Sequence, residues 1–136
     1  MIIKEFISET NRNKMISDLL KYYKVGSVKV KQKSMKDHAH YNVDTGTLEL
    51  STRYKVIKKS QTKDFLITII HEIYHAMDAK KYGWRKFKDM YELEMNYRIS
   101  KGQHEYDDNK YEIAAEEFGQ KNWKQWYSKF KKQNLI

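Results

Sequence analysis

The chain contains no cysteine, which removes disulfide bridges, thiolate zinc ligands and thiol nucleophiles at once. Any metal it holds must be gripped by His, Glu or Asp. It also lacks a long apolar run: the longest, Phe65 to Ile70, is far short of the roughly 20 residues that cross a bilayer. The opening MIIKEFISETNRNK has only a short apolar start and no small-residue cleavage site, so it does not read as a signal peptide. A soluble, cytoplasmic protein with no membrane partner is the expectation. There are no internal repeats and no low-complexity linker. A length of 136 residues suits a single domain with a modest core.

Acidic residues are outnumbered, and the formal charge is +9. A basic balance favours nucleic acid, acidic proteins or anionic surfaces, but lysine-rich coats also keep proteins soluble. With no Arg-rich cluster and no nucleic-acid motif, the solubilising coat is the favoured reading and nucleic acid the less favoured partner.

What is present begins with a helical pattern from Thr10 to Tyr23, apolar at Met15, Ile16, Leu19, Leu20 and Tyr23, with Thr10 or Asn11 able to cap it. Val28 and Val30 alternate with lysines as in a half-buried strand. Ser34 to His38 reads as a connection. YNVDTGTLELS, Tyr41 to Ser51, has the alternation and turn chemistry of a hairpin around Asp44, Thr45 and Gly46. These segments predict a small antiparallel sheet of about three strands, whose edge would suit an extended peptide. Arg53 to Gln61 reads as a polar connection.

TKDFLITIIHEIYHAMDAKK, Thr62 to Lys81, is the strongest helix. Leu66, Ile69, Ile70, Ile73 and Met77 form its apolar stripe, Thr62 is placed to cap it, and Tyr82-Gly83 marks its end. Within it His71, Glu72 and His75 spell H-E-x-x-H. Residues four apart lie one helical turn above each other, so two imidazoles can converge on one ion with the glutamate beside it. This spacing points to a zinc-dependent hydrolase with Glu72 as general base.

A catalytic zinc site takes three protein ligands, so a third is needed. Glu112 is best placed, in the first turn of a helix opened by Asn109, with small Ala115 allowing close approach. Glu116, one turn on, could ligate instead or hydrogen-bond a ligand histidine. His104 is a further candidate, while Asp78 suits a supporting role and His38 and His40 suit a solvated pair. A donor to the oxyanion could come from His104, Tyr106 or Tyr97. Trp84 to Ile99 carries a looser helical pattern, and Gly102 to Asn109 a polar loop. The last helix is expected to kink or break at Gly119. It then continues as a basic aromatic segment over about residues 120–136, with Trp123, Trp126, Tyr127 and Phe130 docking on the domain.

Taken together, Tyr41, Thr45, Gly46 and Leu50, then His71, Glu72, His75 and Ala76, then Glu112, Ala115 and Phe118, resemble the ImmA/IrrE family of phage and bacterial metallopeptidases over roughly Thr10 to Gly119. The resemblance implies an α+β, zincin-like fold: an N-terminal helix, a small antiparallel sheet, the H-E-x-x-H helix and further C-terminal helices. It implies Zn²⁺ held gluzincin-fashion by His71, His75 and Glu112, with Glu72 as base. The substrate would be a protein, in that family often a repressor or regulator, inside a bacterium or phage-infected cell. The basic aromatic ending departs from many members. A weaker similarity runs to SprT-like proteases, which act near DNA and take a third histidine, here His104.

Overall fold

The computed structural model describes residues 5–136. The reading of the N-terminus as lacking a signal segment rests partly on residues 1–4, which lie outside the described residues. The chain is α+β, and its spine is the helix here called α2, Thr62–Tyr82. Phe65, Leu66, Ile69, Ile70 and Ile73 are completely buried. His71, Glu72 and His75 are nearly so, which is how a helix surrounded by other elements behaves. No helix among the described residues is long and apolar enough to cross a membrane.

Ahead of α2 come β1 (Phe6–Ile7), α1 (Glu9–Tyr22), β2 (Lys29–Lys33) and the hairpin of β3 (Ala39–Asn42) and β4 (Thr47–Ser51). The N-cap of α1 is Ser8, whose hydroxyl accepts from Asn11 N at 3.1 Å, rather than Thr10 or Asn11. Thr62 likewise does not cap α2. A 3₁₀ turn, Lys59–Gln61, feeds directly into the helix, and the Thr62 hydroxyl donates to Lys59 O at 2.7 Å. That turn offers the partners a capping side chain would otherwise supply.

The expected hairpin is present, with Tyr41 opposite Leu48, and closes on Gly46 at φ +66°. The sheet around it is mixed, not antiparallel. Strand order is β2-β4-β3, and β2 runs parallel to β4 with Val30 opposite Leu48. The segment between β2 and β3 crosses the end of β4, where Ser51 N donates to His38 O at 3.0 Å. It therefore delivers β3 to the far edge. Alternation fixes which side chains turn inward but says nothing of neighbour order, so the sequence pattern could not separate the two arrangements.

The segment read as a polar connection holds a short strand, β5 (Ile57–Lys58), paired antiparallel with β1. It is also tied down by buried Arg12, whose guanidinium donates to Tyr54 O at 2.9 Å.

Gly83, at φ +85°, ends α2 in a conformation that side chains rarely adopt. The chain then turns straight into α3, Trp84–Ser100, and after a loop into α4, Lys110–Lys132. The expected break at Gly119 is absent, and α4 is continuous. A Cβ on Gly119 would lie 2.9 Å from Ile67 O and 3.3 Å from Ile67 Cγ2. Glycine here lets the two helix backbones approach, so its physical role is contact between helices. Beyond it Trp126 and Phe130 are buried, and the Trp126 indole donates to the Tyr23 hydroxyl at 2.9 Å. The aromatic stripe thus docks α4 on the end of α1.

Candidate metal centre

One turn apart on α2, His71 and His75 direct their Nε2 atoms at the same oxygen, Glu112 Oε1, at 2.9 and 2.8 Å. The three residues are 5, 4 and 6 % exposed, and their donor atoms all lie within 4.8 Å of one another. Such a buried cluster of two imidazoles and a carboxylate can hold a metal ion. With no thiolate in the chain, the donors on offer are two imidazole nitrogens and a carboxylate oxygen, a set open to several first-row divalent ions.

Glu112 is brought there by the start of α4. Asn109 caps the helix, accepting from Tyr111 N at 2.9 Å. The buried carboxylate of Glu94 on α3 accepts from Lys110 N at 2.7 Å and from Arg98 Nε at 2.9 Å. Two elements therefore grip the backbone just before Glu112. Its second oxygen, Oε2, accepts from the Tyr91 hydroxyl, so both oxygens have a defined partner.

Glu116 orients a histidine: His71 Nδ1 donates to its Oε1 at 3.0 Å, and Gln120 Nε2 donates to its Oε2 at 2.9 Å. Fixing Nδ1 as the protonated nitrogen leaves Nε2 to serve as ligand. Asp78 plays no such part for His75, whose Nδ1 is buried without a hydrogen-bond partner. His38 is turned away, with Nδ1 facing the Tyr54 hydroxyl at 2.7 Å and Nε2 accepting from Arg53 at 2.8 Å. His40 is exposed on β3 and lines the cleft.

Without an ion, this arrangement is a dense charge network. Burial of the His71 imidazolium works against its protonation, but the carboxylates of Glu112, Glu72 and Glu116 outweigh it and push its pKa up to about 9. Burial also disfavours the ionised form of Glu112, yet His71, His75 and Tyr91 hold its carboxyl well below the usual range. Glu72 moves the other way: burial raises its pKa, opposed by His75 and His71. Tyr91 and Tyr106 are both raised, first by burial and then by Glu112.

Glu72 lies beside the cluster, with Oε2 3.9 Å from His71 Nε2, and its Oε1 accepts from the backbone N of Tyr41 at 3.0 Å. That bond reveals the orientation of β3. His38 O accepts from Ser51 N of β4 and Asn42 O from Gly46 N in the turn, so the alternate residues Ala39 and Tyr41 turn their backbone groups outward. Ala39 and Tyr41 line a cleft of about 1170 Å³ that also includes His71, Glu72, His75 and Glu112.

Of the three candidates for an oxyanion donor, only Tyr106 stands at the cluster. Its hydroxyl is 3.4 Å from His71 Nε2, with the two rings parallel to within 2°. Tyr97 is half-exposed beneath Arg98 and Lys101 on the surface of α3. His104 braces its own loop, its Nδ1 accepting from Tyr106 N at 3.1 Å and Asp107 N at 2.9 Å. It does not join the cluster. The sequence reading missed Tyr91, Glu94 and the Tyr41 amide: the first two were letters in a loose helical pattern, and a backbone amide has no letter at all.

Comparison with protein-family models, curated proteins and solved structures finds no match.

Proposed function

We propose that the chain is a zinc-dependent peptidase with a zincin-like fold, related to the ImmA/IrrE metallopeptidases, which cuts a protein substrate held in extended form. The observation that carries this reading is the convergence of His71, His75 and Glu112 on one point, with a buried carboxylate beside it and an outward-facing strand edge above. His71, His75 and Glu112 would hold the ion, which when bound polarises a carbonyl and acidifies water. Glu72 then acts as general base. Its Oε1 is pinned by the Tyr41 amide, so Oε2 is left to take a proton from water and pass it to the leaving amine. Its raised pKa suits both halves of that task. The outward groups of Ala39 and Tyr41 would hydrogen-bond the substrate backbone and align the scissile bond. Tyr106 is placed to donate to the developing oxyanion once substrate is in place.

The test is metal content and peptide hydrolysis measured together. Purified protein should carry stoichiometric zinc, and Glu72→Gln should keep the zinc while hydrolysis disappears. Protein that binds no zinc at all sinks the reading.

A second reading, a non-catalytic binding protein for nucleic acid or a host protein, has one observation behind it. Beyond Glu117, α4 has no acidic residue and presents Lys121, Lys124, Lys129, Lys131 and Lys132 to solvent. Its aromatic residues are largely turned inward, however, which removes the stacking platform such surfaces use. Salt-sensitive DNA or RNA binding that survives Glu72→Gln would favour it. The SprT-like variant needs His104 as a ligand, and His104 faces its own loop.

A further inference from the structure

The cluster has a fourth donor that the ligand count of three leaves out. The loop between α3 and α4 places the Tyr106 hydroxyl 3.4 Å from His71 Nε2, in the same cleft that Glu112 lines. Four donors about 2.0–2.2 Å from one tetrahedral ion sit roughly 3.3–3.6 Å from each other. The Tyr106 spacing is that of a neighbouring ligand.

The backbone that carries the ring is braced within its own loop. His104 Nδ1 accepts from the amides of Tyr106 and Asp107, His104 N donates to Asp108 Oδ2 at 2.7 Å, and Asn109 N donates to Tyr106 O at 3.1 Å. Every one of these bonds lies within the turn itself. Tyr106 is 46 % exposed, so the side chain has solvent to turn into.

Resting on the metal reading above, we infer that Tyr106 is a displaceable fourth ligand: in the closed site its phenolic oxygen occupies the position a substrate carbonyl must take. Substrate entry then requires the ring to leave, and the same hydroxyl becomes available as the oxyanion donor only after it has been displaced. The resting protein is thereby latched.

The probe is Cu(II) loaded into the purified protein, because a tyrosine oxygen on copper gives a visible phenolate-to-copper charge-transfer band that His and Glu ligands do not. The wild type and Tyr91→Phe should show the band. Tyr106→Phe should lose it while still binding stoichiometric Cu(II), with an unchanged circular dichroism spectrum. Stoichiometric copper with no band in the wild type, a band that persists in Tyr106→Phe, or a band missing from Tyr91→Phe that is fully copper-loaded, overturns the inference and leaves the three-ligand site standing. Copper that fails to bind, or that binds His71→Ala/His75→Ala as well as the wild type, overturns both. Displacement is read separately by calorimetry on the zinc-loaded proteins with acetohydroxamate, a small bidentate ligand. It should bind Tyr106→Phe more tightly than the wild type, and equal affinities overturn the latch.

Discussion

The two sides of the cleft are built differently. His71 and His75 stand on α2, whose turns are packed by α1, α3, α4 and the sheet, and Glu112 stands on α4 where Gly119 lets the two helices touch. Tyr106 stands on a loop whose residues 101–107 are all exposed, reached through α3, which buries only Phe87 and Glu94. The packed side gives fixed donor positions, because side chains in a close-packed interior cannot drift without opening voids. The light side has little to lose by moving. The proposed metal site with a displaceable Tyr106 calls for both, and the two belong to separate segments joined at Glu94, which ties α3 to the first turn of α4.

That division can be broken from the packed side first. The largest effect expected is from Glu72→Gln, a loss of about 10²-fold or more in peptide turnover with zinc content unchanged by elemental analysis. Hydrolysis persisting at the wild-type rate would remove Glu72 from the chemistry. Next, Glu112→Ala should abolish stoichiometric zinc. If zinc stays, the ligand role passes to Glu116, the only other carboxylate on α4 bonded to a cluster histidine.

Tyr91→Phe sharpens the comparison, since it removes a support of Glu112 without touching the loop. It should weaken zinc about tenfold in a competition titration, and an unchanged affinity would mean that α4 alone positions the carboxylate. Gly119→Ala tests the helix contact. Forcing a Cβ against Ile67 should cost about 1–3 kcal/mol, read as a lowered denaturation midpoint. An unaltered midpoint would show that α2 and α4 can part at no cost.

The smallest effect is a pH dependence of the metal-free protein. The folded pKa of His71, about 9, exceeds its ordinary 6.5, so its contribution is complete below 6.5 and is lost as pH rises through about 9. Glu112 has a folded pKa below its ordinary 4.5, so its contribution is present above 4.5 and is lost as pH falls through the folded value. Metal-free protein should therefore melt highest between about pH 4.5 and 6.5 and lose stability toward pH 9, as thermal unfolding would show. A flat profile from pH 6.5 to 9 would mean that the charge network contributes nothing to the fold.

Much of this protein follows from neighbours along the chain. The apolar period of α2, the turn at Asp44 to Gly46, the end at Gly83 and the cap at Asn109 are each set within a few residues, by sterics and local hydrogen bonding. The H-E-x-x-H spacing is local too, since one helical turn suffices to align two imidazoles. What the letters left open depends on segments distant in sequence meeting in space. Strand order in the sheet, the choice of Glu112 over Glu116 or His104 at the cluster, the service of Glu72 by a backbone amide, and the need for glycine at 119 are all of this kind. Such contacts are selected by packing over the whole core, and periodicity carries no record of which faces will touch. Only the folded chain could decide them.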